Sequence, residues 1–428
     1  MSRRTSSVIL AAACIAVGFH AQAQVAVRAD RLYTMAGAPI NDGVVVITDG
    51  KVSAVGPAVS TAIPDGFRVL RAAVATPGLI DPRGTVGVSG IYNQQQDQDQ
   101  LERSSPIQPE LRAIDAYNPS DRLVEWVRGF GITTIHTGHA PGELISGQTC
   151  ILKTFGNTVE EAVMVETATV AATLGPWAAK GGGQSPGTRA KMVAMLRDEL
   201  IKAQEYTQRR EEAAAKGDDS LLVPEEIDHD DEAKDKKKKS FGRNLRSEML
   251  AKVLKKEVPL LITANRAQDI SSALRLAKEF DIQILLDSAA ESYLLIDDIK
   301  AAGVPVILHP TMFRMFGEME NMSVETAARL RAAGIPVAIE SGFESYVPKC
   351  RVVLFEAGIA AANGLTFEQA LATITTSAAQ ILGIADRVGS LAVGLDGDVA
   401  LYDGDPFEYT THCVGVVIEG RVVSEKVR

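Results

Sequence analysis

The sequence predicts an α/β protein whose centre is a (β/α)8 TIM-type barrel, with β-rich segments at both ends of the chain. Two observations lead to this prediction. Apolar strand-like runs alternate with amphipathic helical stretches through the middle of the chain, and β-branched runs broken by Gly, Asp and Pro occupy both ends. A chain of 428 residues, of which 46% are hydrophobic and 23% charged, can bury a large core and form a second, smaller domain.

The two ends of the chain share a residue pattern typical of β-strands and hairpins. The N-terminal segment from residue 25 contains VAVRADRLYTM, GVVVITDGKVSAVG and FRVLRAAVATPG, and Asp49-Gly50 is a turn pair typical of a hairpin. Residues 389–427 contain DVALYDGDP and VGVVIEGRVV. We therefore expect antiparallel strands at both ends.

The middle of the chain repeats a strand and then a helix. The strand-like runs are GITTIHTG, VPLLITA, IQILLDS, VPVILHP and IPVAIES, and the last four are separated by DISSALRLAKEF, YLLIDDIKAAG and SVETAARLRAAG. This order is typical of βαβ units and a parallel sheet. Over about 300 residues it fits a closed barrel of about 250 residues with insertions, while an open doubly wound sheet is the competing layout.

The first 23 residues have the order of a secretory signal peptide. Arg3 and Arg4 precede an apolar run over residues 8–19, and Ala21 and Ala23 provide small residues for cleavage. The run is too short to cross a bilayer, which takes about 20 residues. We expect a mature protein that is periplasmic or secreted and has no transmembrane span; a lipid anchor on Cys14 is the alternative.

The charge distribution excludes one class of partner and marks one insertion. The formal net charge of -10 argues against nucleic acid, whose phosphates require a basic face. Residues 208–242 contain almost no apolar side chains, which predicts a mobile surface insertion. The chain contains no Gly-x-Ser-x-Gly elbow, phosphate loop or closely spaced cysteine pair.

Two long motifs resemble the amidohydrolase superfamily, in the group that includes imidazolonepropionase-like and prolidase-like proteins. They are TPGLIDPRGTVG at residues 76–87 and ANGLTFEQALATITTSAAQILGIADRVGSLAVGLDGDVALYDGDP, which is followed by VIEGRVV. With DISSALRLAKEF, the resemblance covers nearly all of the mature chain. It implies a small composite β-sandwich built from residues 24–78 and 388–428, beside a barrel formed by residues 79–387.

The resemblance also implies one or two divalent ions, commonly zinc, held by histidines and an aspartate at the C-terminal ends of the strands. Such an ion lowers the pKa of a bound water to about 7. The positions that match the family's ligands, or lie beside them, carry Arg83, Thr85, Thr263, Asn265, Ser288 and Gly342. If the strand register shifts by two residues, Glu340 replaces Gly342 and is the one strong zinc ligand of the set. Since arginine has no lone pair to give, we expect no metal cofactor.

The remaining candidate residues are histidines and a lysine. His136, His139 and His309 end predicted strands, so His136 and His309 with Glu340 are a candidate residual polar site. His136 and His139 point to opposite faces of a strand, which favours hydrogen-bonded histidines over a rebuilt zinc site. Lys153 resembles the family's bridging lysine, but without the histidines we interpret it as structural or as a pocket charge.

Two functional hypotheses follow from the resemblance. The first is a non-catalytic protein without a metal centre, which binds a small and possibly carboxylate-bearing molecule through Arg83, or forms a homo-oligomer or pairs with an intact relative. The second is an active hydrolase of carbon-nitrogen bonds, which would need zinc and an unforeseen site formed by Glu340, His309 and His136.

Overall fold

The computed structural model describes residues 24–92, 94–215, 243–344 and 352–428, and its strands form two sheets. The predicted signal peptide lies outside the described residues. Within the described ranges, none of the helices combines the length and apolar character that a membrane span needs.

A seven-stranded sheet joins the two ends of the chain. Its order is β15-β14-β13-β4-β1-β2-β3. The strands are β1 (Val25–Leu32), β2 (Ile40–Thr48), β3 (Lys51–Pro57), β4 (Arg68–Pro77), β13 (Val399–Tyr402), β14 (Cys413–Ile418) and β15 (Arg421–Ser424). Strand β4 pairs in parallel with β1 and antiparallel with β13, so the N-terminal and C-terminal strands share one hydrogen-bonded sheet.

The predicted hairpin at Asp49-Gly50 is confirmed. Both residues have positive φ, 53° for Asp49 and 80° for Gly50, as a tight turn between β2 and β3 requires. The residue pattern at both chain ends therefore predicted β-strands where the structure has them.

An eight-stranded sheet forms the centre of the molecule, with its strands in chain order. The strands are β5 (Leu79–Gly84), β6 (Ile132–Gly138), β7 (Ile145–Lys153), β8 (Val163–Thr173), β9 (Leu260–Thr263), β10 (Ile284–Ser288), β11 (Val306–Leu308) and β12 (Val337–Ile339). Just beyond β12, the Ser341 amide donates to Asp81 Oδ1 at 3.2 Å and the Gly342 amide donates to the Arg83 carbonyl at 3.1 Å. These bonds bring the last strand to the first, and the sheet is a nearly closed TIM-type barrel.

One strand departs from a regular (β/α)8 barrel. Strand β7 is antiparallel to both β6 and β8. Only residues 139–144 connect β6 to β7, whereas a parallel crossover needs a dozen or more residues. The prediction of uniform strand and helix alternation was therefore wrong in this part of the barrel, because the connection is long enough only to reverse the chain.

Helices pack around the barrel. They are α1 (Arg122–Arg128), α2 (Val159–Ala162), α3 (Arg189–Ala215), α4 (Leu245–Leu254), α5 (Ala267–Phe280), α6 (Ile296–Ala302), α7 (Thr326–Ala332), α8 (Val353–Ala362), α9 (Phe367–Thr373) and α10 (Thr376–Ile381). Helices α5, α6 and α7 lie between β9, β10, β11 and β12, as the amphipathic segments predict. Helix α5 buries Ile270, Ala273 and Leu276 against the barrel.

The predicted insertion begins later than the sequence suggested. Helix α3 continues to Ala215, so residues 208–215 are helical. This segment, QRREEAAA, consists of good helix formers, and Arg210 Nη1 donates to Glu248 Oε1 on α4 at 3.0 Å. Residues 216–242 of the predicted insertion lie outside the described residues.

Candidate ligand site at the barrel mouth

The C-terminal ends of the parallel strands surround a small chamber at the barrel mouth. Its volume is about 20 Å³, enough for about one water molecule. The predicted site residues that line it are Arg83, Thr85, Thr263, Ser288, Glu340 and Gly342. The structure therefore brings together most of the candidate positions, and both alternatives for the last strand, Glu340 and Gly342, face the chamber.

Asn265, His136 and His309 are buried but are not among the described residues that line the chamber. Asn265 Oδ1 accepts from the Ala290 amide at 3.4 Å. The two ring nitrogens of His136 lie 2.6 Å from the Pro82 carbonyl and 2.6 Å from Thr149 Oγ1, and His309 Nδ1 lies 2.9 Å from the Pro310 carbonyl. Of the predicted residual site, Glu340 lines the chamber and the two histidines lie outside its described lining, so a polar site shared by all three stays a prediction.

The floor of the chamber is acidic. Asp287, the second-last residue of β10, lines the chamber with Glu340 and accepts a hydrogen bond from the Thr263 hydroxyl. Burial and the neighbouring Asp287 carboxyl raise the pKa of Glu340 well above its usual range. Sequence reasoning missed Asp287, although a carboxylate at the end of the apolar run IQILLDS was a usable signal.

A third carboxyl group lies beneath the chamber on β5. Asp81 is fully buried, and its oxygens accept hydrogen bonds from the Ser341 hydroxyl, the Ser341 amide and the Arg83 amide. Burial nevertheless raises the pKa of Asp81 to about 7. Asp81 was also missed, although it is the acidic residue of the GLID motif that carried the resemblance.

Arg83 is a buried cation that is already engaged by the protein. Its Nη1 donates to the Gly84 carbonyl at 3.3 Å, and its Nη2 donates to the His139 carbonyl. Its guanidinium thus holds two strand-end carbonyls and partly offsets the carboxyl groups around it, and its contact with a ligand carboxylate stays a prediction.

The residues present do not fit a catalytic zinc ion. Zinc sites use imidazole, thiolate and carboxylate donors in tetrahedral sets. This chamber offers only two such donors, the carboxyl groups of Asp287 and Glu340, and its other polar groups are the Arg83 guanidinium and the hydroxyls of Thr85, Thr263 and Ser288. The ring nitrogens of His136 are both within hydrogen-bond distance of protein groups. In the part of the chain that the structure describes, no group of three or more His, Cys, Asp or Glu residues is arranged to hold a metal.

A larger cleft of about 310 Å³ opens above the chamber. Its apolar wall consists of Pro141, Trp177, Phe313, Phe316, Met319 and Phe343. Pro141, Trp177, Phe313 and Phe343 also line the chamber, so the two cavities adjoin. Trp177 faces this cleft, and its ring centroid lies 6.4 Å from that of Phe313.

Comparison with known proteins indicates the family. The model of the amidohydrolase family matches residues 260–424, which contain β9 to β15 and the chamber residues Thr263, Asp287 and Glu340. The chain is similar to Amidohydrolase tasK of Hapsidospora irregularis, with 24% identity over 364 residues, and to imidazolonepropionase of Stenotrophomonas maltophilia, with 33% identity over 108 residues. These matches support membership of the amidohydrolase superfamily.

These alignments cover different shares of the two chains. The tasK alignment covers 81% of this chain and 36% of tasK, and the imidazolonepropionase alignment covers 25% of this chain and 26% of that enzyme. The chain thus spans about a third or less of the length of these curated relatives.

Solved structures support the same fold. An amidohydrolase from Thermotoga maritima superposes with a TM-score of 0.83 at 24% identity, over 94% of this chain and 100% of that one. A putative prolidase from Bifidobacterium longum superposes with a TM-score of 0.55 at 16% identity, over 94% of both chains. At these identities the structural likeness establishes the barrel fold alone.

Proposed function

We propose that this protein binds a small-molecule ligand in its barrel mouth without zinc-dependent hydrolysis. The observation that carries the proposal is the donor set of the chamber. The positions that the resemblance matches to the family's metal ligands carry Arg83, Thr85, Thr263, Ser288 and Gly342, and all five line the chamber. These side chains cannot generate the metal-activated water on which the family's hydrolysis depends.

The cavity above the chamber supports a binding role. A volume of about 310 Å³ falls at the lower end of the range for small-molecule sites, and such sites combine apolar walls with a few polar groups. A non-catalytic member would act through what it binds, alone, as a homo-oligomer or beside an intact relative. Ligand screening together with size-exclusion chromatography, with and without such a relative, tests this role. Failure to bind any small acid or any relative overturns it.

The second candidate function is hydrolysis of carbon-nitrogen bonds without a metal. The observation that favours it is the buried pair of Glu340 and Asp287. Because the pKa of Glu340 is raised, its carboxyl group retains a proton to give to a leaving nitrogen, while Asp287 accepts one from the attacking water. The relatives described as amidohydrolase and imidazolonepropionase have names consistent with hydrolysis of such bonds.

Metal content and hydrolysis distinguish the two functions. Protein purified without chelators and supplied with zinc should retain no stoichiometric metal, and amide, cyclic amide and dipeptide substrates should not be hydrolysed faster with zinc. Stoichiometric zinc together with zinc-dependent turnover would contradict the proposal.

Turnover that needs no zinc would support the second function if Glu340→Gln abolishes it. Glu279→Gln is the matched control, because Glu279 lies on the outside of α5 and pairs with Arg197 at 2.8 Å. Turnover lost equally in both variants would count against the Glu340 and Asp287 pair.

We also propose that the protein is exported and that residues 24–78 and 388–428 form a composite β-sandwich. The first strand begins at Val25, directly after the predicted cleavage site, and the shared seven-stranded sheet supports a unit built from both ends. N-terminal sequencing of the protein from cell fractions tests export. A chain that retains residues 1–23 would contradict cleavage.

A further inference from the structure

The floor of the barrel mouth is a poor place for an anion. Asp81, Asp287 and Glu340 surround it, and Arg83 is engaged with backbone carbonyls. A carboxylate placed there would lose its water and meet other carboxyl groups, both of which are costly. An anionic ligand group must therefore be bound elsewhere.

The outer cleft offers an aromatic wall. Trp177 and Phe313 lie at the boundary between cleft and chamber, and Phe343 and Phe316 extend the apolar surface outward. Phe316 is 61% exposed and the adjacent Met315 is 62% exposed, so large apolar side chains remain in solvent at this mouth. Aromatic rings pack against one another in tilted and offset arrangements, which suits a planar ring of a ligand.

Arg103 places a positive charge on the same cleft. Its side chain is exposed, and across the described ranges of the chain no carboxylate forms an ion pair with it. Of the acidic residues on this cleft, Glu318 lies 3.6 Å from Arg189 and 3.9 Å from Arg266, and Glu344 is mostly buried and already has an interaction partner. Among the described residues that line this cleft, Arg103 is thus the cation that is open to a ligand.

We propose that the barrel mouth binds aromatic carboxylic acids, with the ring against Trp177 and Phe313 and the carboxylate on Arg103. The inference rests on the proposed function, since it names the ligand class of the same site. It moves the anion contact from the chamber floor, where Arg83 lies, to the rim of the cleft.

Fluorescence of Trp177 tests the ring contact. The sequence contains two tryptophans, Trp126 and Trp177, so Trp126→Phe leaves the cleft tryptophan as the reporter. The probes are 3-phenylpropanoate and the uncharged 3-phenylpropanamide, which have nearly the same shape. We expect both to change the fluorescence saturably. The acid should bind about 5-fold more tightly than the amide, because one exposed ion pair contributes an effect of about this size. The difference in affinity should shrink as salt is added.

Two substitutions, each added to the Trp126→Phe variant, separate the ring contact from the charge contact. Arg103→Ala should remove the 5-fold preference for the acid and leave the amide affinity unchanged. Phe313→Ala should weaken both probes by about 10-fold, because the ligand ring loses both an aromatic partner and the apolar area that it buries against Phe313. Arg275→Ala, on the outside of α5, is the matched control and should change neither affinity.

Equal affinities for acid and amide, or a preference that survives Arg103→Ala, overturn the carboxylate contact. Absence of binding by either probe, measured by calorimetry as well as fluorescence, overturns the aromatic class. Neither result affects the proposed function, which fails separately if zinc restores hydrolysis. Release of ammonia from the amide probe is measured in the same samples, so binding and turnover are not confused.

Discussion

At the scale of single residues, burial decides which histidines can take part in chemistry. Burial lowers the pKa of His136 to about 3 and that of His309 to about 4, so both rings are neutral at ordinary pH. His136 then serves as a hydrogen-bonding link between the Pro82 carbonyl on β5 and the Thr149 hydroxyl on β7. The sequence places these histidines at strand ends, but their role follows from the groups that face their nitrogens.

The depressed pKa of His136 predicts a pH-dependent stability. The unfolded chain takes up a proton near pH 6.5 and the folded protein only near pH 3, so this residue lowers the free energy of unfolding as pH falls through that window. Between pH 7 and pH 5 the loss should be about 2 kcal/mol, at about 1.4 kcal/mol for each unit below 6.5. Urea unfolding of wild type and His136→Gln at both pH values measures it. The variant should lose less stability on acidification, and parallel losses would contradict the assignment.

At the scale of elements, the barrel closes through residues that follow a very short strand. Strand β12 contains only Val337–Ile339, and the next residues continue the contact with β5 through the Ser341 hydroxyl and the Gly342 amide. Gly342 has a φ of 66°, and a Cβ at this position would lie 2.8 Å from Pro310 Cγ. The positive φ and the nearby Pro310 side chain therefore both favour glycine at position 342, independently of metal binding.

Ser341→Ala tests this closure. The substitution removes the hydroxyl that donates to Asp81 Oδ2, and a buried acceptor that loses its donor costs about 1–3 kcal/mol. Because the pKa of Asp81 is about 7, the cost should be larger at pH 8, where the group is ionised, than at pH 5, where it is protonated. Urea unfolding at both pH values gives the difference. Ser271→Ala on the outside of α5 is the control, and an equal cost at both pH values would count against Asp81 as the acceptor.

At the scale of the whole molecule, the sequence predicts the parts of the fold whose pattern is local. The alternation of apolar runs and amphipathic helices correctly located β9 to β12 and α5 to α7, and the residue pattern of the chain ends correctly indicated strands there. It did not reveal the antiparallel strand β7. All nine residues of β7 are buried, and a continuous buried strand has the same pattern in either direction.

The site was predictable only as far as the motifs that carried the resemblance. The family positions Arg83, Thr263, Ser288 and the end of β12 lie around one chamber. Asp81 and Asp287 were missed because their importance comes from the meeting of β5, β10 and β12 at the mouth, which no local pattern encodes. The aromatic cleft was missed for the same reason, since Trp177 and Phe313 are far apart in the chain.

A buried charge cluster links the barrel to the segment before β13, at the end of the barrel opposite the mouth. Lys153 Nζ lies 2.6 Å from Asp398 Oδ2 and 2.9 Å from Asp396 Oδ2, and all three side chains are at most 4% exposed. Burial alone would lower the pKa of Lys153, but the charges of Asp398 and Asp396 outweigh it and raise the pKa. Lys153 pairs in register with Thr134 near the start of β6 and is not among the described residues that line the chamber, which favours a structural role over a pocket charge.

Lys153→Met should therefore destabilise the protein without changing the mouth. Removal of one partner leaves buried aspartates uncompensated, which costs about 3–5 kcal/mol, and Asp398→Asn in the same chain should recover part of this loss because it removes one of those charges. Urea unfolding measures both effects, and titration with 3-phenylpropanoate should give the wild-type affinity for any variant that remains folded. A loss below about 1 kcal/mol would mean that Lys51 and Arg387, which also contact Asp396 at 2.5 Å and 2.9 Å, suffice to neutralise the cluster.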